Sequence, residues 1–530
     1  MMGKANRHGI ITTLWIVLLA IGSFAYAMTK PLDHNEHMYI SAARLLQDNT
    51  LYSDFAFLQM PYLPYLYNAF YQLSDTHHYL LWGRIWSWGL TLSAGVLLFA
   101  LLRRNRPGWG GTWAILPLFL LNQTILGILA ESSNYALPLA ASVVAFALVT
   151  HALEGPPYEG WFAAGGGFAL ALAIGTKLYY GICFLPFVLV MLLYPRRAGL
   201  RHRIVQYVLP MLAGGMVGLL PAALLLLHDP QAFWFNNIEF HTTNTLWRES
   251  LGRSFAITPI GKMTFFLFLV FAKPSNIIFL ALVPMGALVV LELRPYGRNM
   301  LHHLAPGTLL ALLLALTTTA TLFVPTPMVL QHAAMPIPFV LLVLCSFSFP
   351  IVSIAGQRRH TLLLTGVLLV TSGAGVSTLL PMLPRFVQPA QWEGIALHRA
   401  ARELQQIVGE GKRIATLSPL YALEANLTIY PELASGPFLY RVGDLLDEEQ
   451  RQRNMGTSPG SICGLLRRTP PDAILVGFED ETYLEKPLHE CAIQIGYISL
   501  PRRLRKRGTV YVPPPFVAPL SNFDLGPRCP

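Results

Sequence analysis

Lys30-Pro31-Leu32-Asp33-His34-Asn35-Glu36-His37-Met38-Tyr39 follows directly on the first apolar run of the chain. Asp33 with Glu36 three residues later has the form of a helix capping box. The same stretch crowds two carboxylates and two imidazoles together, groups that are costly to hold against a membrane without a use. They stand out because 53% of the 530 residues are hydrophobic and only 12% are charged, with a mean hydropathy of +0.47. Soluble domains carry about twice that charge fraction. The composition asks for a lipid-facing surface.

Working outward, apolar stretches long enough to cross about 30 Å of hydrocarbon recur at 10–28, 79–102, 112–130, 134–153, 161–176, 178–194, 204–227, 267–292, 305–324, 336–355 and 361–381. A polytopic α-helical membrane protein with about eleven transmembrane helices is expected. When the spans alternate, Lys4/Arg7, Arg103/Arg104/Arg106, Arg196/Arg197/Arg201/Arg203, Arg294/Arg298 and Arg358/Arg359 fall on one side. The positive-inside rule makes that side cytoplasmic, with the N-terminus in and the C-terminus out. Residues 161–194 cross as two short helices or a re-entrant pair. Loops 29–78 and 228–263 and the tail 382–530 are expected outside, on an inner or plasma membrane.

The division predicted is a membrane domain, 1–381, and an extracytoplasmic α/β domain, 382–530. In the latter a helix running to about Val408 precedes strand-like runs at Arg413–Leu417, Ala473–Val476, Ala492–Ile498 and Thr509–Val512. The net charge of +10 sits in short clusters between apolar runs, a topology signal and not a nucleic-acid one. There is no Walker loop, no GxGxxG after a strand and no zinc-type Cys/His spacing. Cys183 and Cys345 read as apolar filler. Cys463 and Cys491 are a candidate disulfide if the tail is outside the cytosol.

Two readings of the first loop stand side by side. Asp33 and Glu36 either only start a helix, or supply a carboxylate general base with His34 or His37 as helper. A divalent metal on His34, Glu36 and His37 is a further alternative. Met38, Ala42, Leu45 and Leu46 share one face, which predicts a short helix lying along the membrane surface. Lys177, at a Gly-interrupted helix end, and Arg84, one turn into the second span, either snorkel to the interface or seat a phosphate. His241 in the second loop and Glu131 in the turn Glu131-Ser-Ser-Asn134 are candidates for the same cavity. The basic run 502–507 reads as a solvated loop or a contact for anionic lipid.

These residues, in this order and sidedness, resemble the GT-C superfamily of polyprenyl-phosphate-sugar-dependent glycosyltransferases, the group of aminoarabinose transferase and protein O-mannosyltransferase. The likeness rests on Tyr39, on Leu51-Tyr52-Ser53-Asp54 with Pro61 downstream, on Arg84 and on Thr176-Lys177, and covers roughly 1–380. That family carries Asp-Glu shortly before the Tyr; the matching positions here are Asn35 and Glu36. Asn accepts no proton at neutral pH, so the resemblance moves the base to Glu36 or Asp33. Gln59, before Met60-Pro61, stands where the aminoarabinose branch has an acid before its Lys-Pro. The resemblance implies a polyprenyl-phosphate sugar as donor, with Lys177 and Arg84 on its phosphate. It also implies transfer to a lipid, glycan or protein hydroxyl with inversion. Two rivals remain: a lipid-linked-substrate transporter or flippase, disfavoured by the lack of acids deep in the spans, and a non-catalytic glycan-assembly subunit.

Overall fold

The computed structural model describes residues 2–105, 111–155, 157–253, 256–293, 304–346, 354–479, 481–501 and 503–514. Arg106, Arg294, Arg298, Arg502 and Cys529 lie outside the described residues, as do the side chains of Lys4 and Arg7. The chain is predominantly helical. It opens with α1 (Met2–Thr29), α2 (His34–Leu45), α3 (Tyr62–Ser74), α4 (Tyr79–Asn105), α5 (Gly111–Leu120), α6 (Gln123–Leu129), α7 (Ala136–Ala152) and α8 (Glu159–Thr176). Each expected apolar stretch carries helix, but eleven straight crossings are not what is seen. Among the described residues three helices are long and apolar enough to span a bilayer, Tyr79–Arg104, Leu200–His228 and Arg358–Phe386. Others are broken. Thr112–Leu120 and Gln123–Leu129 meet at 60°, where Asn122 caps the second half through its side-chain oxygen. The span expected at 267–292 instead begins at Pro259 and turns by 112° between Pro259–Ala272 and Pro274–Ala287, since Pro274 cannot donate to a continuing helix.

Close helix packing relies on missing side chains. A Cβ on Gly167 would collide with the backbone of Met211, and one on Gly214 with that of Ala164, so α8 and the helix Leu209–His228 touch almost backbone to backbone. Further along α8, a Cβ on Gly175 would enter the ring of Tyr62. That contact fixes the end of α8, and with it Lys177.

The expectation of a surface-lying α2 is overturned. Glu36 through Ala43 are all buried, on every side of the helix. The reason is that α2 is covered on one side by α3 and on another by the helix Pro419–Glu424 of the C-terminal region. There a five-stranded sheet has the order β2-β1-β3-β5-β4, with β1 Arg413–Ala415, β2 Thr428–Ile429, β3 Ala473–Val476, β4 Ile498–Ser499 and β5 Thr509–Val512. β1, β2 and β3 are parallel; β5 runs antiparallel to β3 and β4. Of Ala492–Ile498, read from sequence as a strand, the first three residues end the helix Thr482–Gln494 and only Ile498 is strand; β2 is an element that the sequence reading lacks. Cys463 and Cys491 are joined in a disulfide. One hydrophobic core runs from Met38, Phe57 and Tyr67 of the first loop into Leu417, Leu439 and Ile474, so loop and sheet form one packed unit.

Glu36 and Arg84 hold this arrangement to the membrane helices. Glu36 Oε1 accepts from Arg84 Nε at 2.9 Å and from Ser132 N at 2.9 Å. Its Oε2 accepts from Arg84 Nη2 at 2.7 Å and from Asp33 N at 3.0 Å. The remaining guanidinium donors reach the carbonyls of Ala27, Lys30 and Pro31 at 3.1, 2.5 and 3.2 Å. Both side chains are wholly buried. A buried charge pair is stable only when its hydrogen bonds are complete, and here they are.

Two outcomes follow. Glu36→Gln and Arg84→Gln each leave one buried charge unpaired and should cost about 3–5 kcal/mol, measured as unfolding of the detergent-solubilised protein. Gly214→Leu should cost about 1–3 kcal/mol by overpacking, whereas Gly286→Leu, which has open space around it, should leave the thermal midpoint unchanged.

Candidate active site

A cavity of about 860 Å³ opens between the ends of the membrane helices and the sheet-bearing region. Its wall brings together Asp33, His34, Asn35, Tyr39, Gln59, Lys177 and His241 from four separate parts of the sequence. Glu36, Arg84, His37, Asp54 and Glu131 do not line it.

The exclusions have physical reasons. Glu36 spends both oxygens on Arg84, Ser132 and Asp33 and does not face the cavity. Arg84 spends its fork on Glu36 and three carbonyls and offers none of it to a phosphate. Asp54 Oδ2 accepts from Thr50 N at 2.7 Å and tightens an exposed turn. Glu131 pairs with Lys30; burial pushes its carboxyl up to about 7 despite that cation. His37 lines a separate cavity of about 200 Å³ toward Tyr421, and burial pushes its imidazole down to about 3. His34 lines both cavities, His37 only the smaller one, and Glu36 neither. Among the described residues no group of three or more His, Cys, Asp or Glu is arranged to hold a metal ion.

Among the described residues Asp33 is the one carboxylate on the cavity wall. It N-caps α2 in a complete capping box. Its Oδ1 accepts from Asn35 N at 2.9 Å and from Asn35 Nδ2 at 2.6 Å. Oδ2 accepts no hydrogen bond among the described residues. The two readings of this stretch therefore divide between the two acids: the cap leaves Asp33 one oxygen to use, and Glu36 none.

Lys177 sits where α8 gives way to the 3-10 turn Leu178–Cys183, its backbone extended at φ −151°. Nζ donates to Asn134 Oδ1 at 2.9 Å, and Asn134 Nδ2 donates to Gln59 Oε1 at 2.9 Å. The ammonium also lies 3.3 Å from the centroid of the Tyr135 ring, a cation–π contact. The side chain is 5% exposed and lacks an ion pair among the described residues, so desolvation drives its pKa well down. Burial and the Lys177 charge likewise push His241 down to about 4, leaving a neutral imidazole.

Several wall residues had gone unassigned in the sequence reading. Asn237, Asn244 and Arg248 recur with the already assigned His241 at helical spacing through Phe240–Ser250 and the turn before it, and all four line the cavity. That periodicity was available in the sequence. His332 comes from the short segment 325–335, which the alternation of spans puts on the same side as the longer loops. Arg441, from the helix Pro437–Val442, had no local signal at all; only the tertiary fold brings it to this wall.

No family model and no curated protein matches the sequence. Solved structures do. ArnT from Cupriavidus metallidurans bound to undecaprenyl phosphate is similar at a TM-score of 0.60 and 15% identity, over 96% of this chain and 98% of that one. The same enzyme in the apo state gives the same figures. The archaeal oligosaccharyltransferase AglB from Archaeoglobus fulgidus has a TM-score of 0.49 at 11% identity, over 97% of this chain and 75% of its own. ArnT is an aminoarabinose transferase of the GT-C superfamily. With nearly the whole of both chains superposed, this protein shares the fold of ArnT.

Proposed function

We propose that the chain is an integral-membrane glycosyltransferase that moves a sugar from a polyprenyl-phosphate donor to an acceptor hydroxyl at the outer membrane face. One observation carries the reading: Asp33 and Lys177, 144 positions apart in sequence, share the wall of one large cavity at the helix ends. Those ends lie away from Arg103 and Arg104 at the far end of α4, which supports an extracytoplasmic site. Neither a transporter nor a scaffold needs a carboxylate with a spare oxygen opposite a desolvated cation.

The donor phosphate sits on Lys177, whose charge a phosphate restores, while the polyprenyl chain lies among the helices. Asp33 Oδ2 takes the proton of the acceptor hydroxyl. The hydroxyl oxygen attacks the anomeric carbon from the face opposite the phosphate. The carbon–oxygen bond to phosphate breaks, its electron pair leaves with polyprenyl phosphate, and the anomer inverts. Lys177 stabilises the charge that develops on the leaving oxygen. Asn35, through its two bonds to Asp33 Oδ1, holds the carboxylate in place. The acceptor is a lipid, glycan or protein hydroxyl.

Asp33→Asn should reduce turnover of a labelled polyprenyl-phosphate sugar by about 10²–10⁴-fold with donor binding retained; undiminished turnover would rule out this base. Lys177 gives a pH signature. Its ammonium is disfavoured in the empty cavity and favoured beside a phosphodiester, whose own charge is fixed. Donor affinity should therefore rise as pH falls from about 10 toward neutral, and level off below the depressed value of the empty site. Lys177→Met should flatten that dependence and raise the donor KM. Binding measured by titration in nanodiscs checks both.

A further inference from the structure

Arg441 and Arg248 line the same cavity on the side formed by the C-terminal region and the helix Phe240–Ser250. Arg441 is 6% exposed. Its Nε and Nη2 both donate to one neutral acceptor, Asn244 Oδ1, at 3.1 and 2.8 Å. Its guanidinium lies 4.8 Å from the ring of Trp247 and 4.8 Å from that of Phe438. Nη1 makes no hydrogen bond among the described residues. Arg248 is half-buried, and its Nε is buried with no partner.

Among the described residues no carboxylate bonds to either guanidinium. Glu481 is bonded to Arg253 at 2.5 Å and acts on Arg441 and Arg248 through space, as Glu479 does on Arg441. A buried guanidinium without an anion is expensive. The aromatic pair and one amide oxygen recover only part of that cost. The same wall holds a single carboxylate, Asp33, against three cations. Lys177 answers one fixed negative charge on the donor, and neither arginine is among the charges that act on it. Two planar forks side by side match an oxyanion in two-point geometry.

Resting on the glycosyltransferase reading, we infer that Arg441 and Arg248 form a second anion seat, distinct from that of Lys177, which holds a phosphate or carboxylate borne by the acceptor. The acceptor is then an acidic one, and the C-terminal region takes a direct part in choosing it. Because Arg441 comes from that region and Lys177 from a membrane helix, the cavity closes around donor and acceptor from opposite sides.

The test uses the full chain in nanodiscs, with undecaprenyl phosphate filling the Lys177 seat and glucose 6-phosphate or glucose as second probe. Glucose 6-phosphate should bind to the undecaprenyl-phosphate-loaded protein, and glucose should bind far more weakly. Arg441→Gln should weaken glucose 6-phosphate about ten- to hundredfold while leaving undecaprenyl phosphate unchanged, and Lys177→Gln should do the reverse. Arg248→Gln, at a half-buried site, repeats the measurement should Arg441→Gln fail to fold. Competition between the two phosphates would overturn the second seat. So would an equal loss of undecaprenyl phosphate in the arginine variants, or binding of glucose as tight as that of its phosphate. If wild type binds glucose 6-phosphate through the arginines but does not bind undecaprenyl phosphate, the donor reading fails and the anion seat stands.

Discussion

Everything at the cavity depends on one buried ion pair. The Arg84 fork and the Glu36 carboxylate join the end of α1, the carbonyls of Lys30 and Pro31, the first turn of α2, the body of α4 and the Ser132 amide. Only guanidinium has enough rigid donors to satisfy a carboxylate and three carbonyls at once; a lysine would leave acceptors unpaired. Since Glu36 Oε2 also binds Asp33 N, the place of Asp33 is set by the same pair. A group that looks catalytic by type is tied into the architecture, and that architecture sets the neighbouring Asp33 on the cavity wall.

A second constraint is that the first loop and the sheet-bearing region bury their apolar surface together. α2 presents buried residues in every direction, which a helix at a membrane surface could not do. Tyr421 and Leu423 of the helix Pro419–Glu424 belong to the same core as Met38 and Ala42. The C-terminal region is thus no appendage: without it the first loop would expose a core. This shared burial also brings Phe438 and Arg441 to a cavity otherwise lined by the first and second loops and by helix ends.

Much of this was legible in the sequence, and the limits are physical. Apolar runs located the helices because burial in lipid demands length and composition. They could not show that Pro274 and Asn122 break two of them, because hydropathy is blind to backbone hydrogen bonds. The crowd of polar residues at 33–39 marked the site, and Lys177 marked its far wall. What sequence could not do was apportion roles within the crowd. Glu36 and Asp33 differ only in how many donors the folded chain brings to each. β2 escaped because two residues carry no periodicity, and Arg441 because its significance lies entirely in which surface it meets.

The departure at Asn35 is the hardest feature to reconcile with catalysis, and the local geometry accounts for it. A carboxylate at position 35 would sit on the first turn of α2, beside Glu36 and within reach of Asp33. Three like charges there would repel one another. With an amide at 35, the same side chain becomes a donor, and its 2.6 Å bond to Asp33 Oδ1 fixes that oxygen at the helix cap. The acid has in effect moved two residues back, from inside the helix to its cap. There the helix N-terminus adds its own partial positive charge, and one oxygen remains free for a substrate. On the proposed reading, the cap of α2 thus supplies the base in spite of the amide at position 35, on a wall whose cations are Lys177, Arg248 and Arg441.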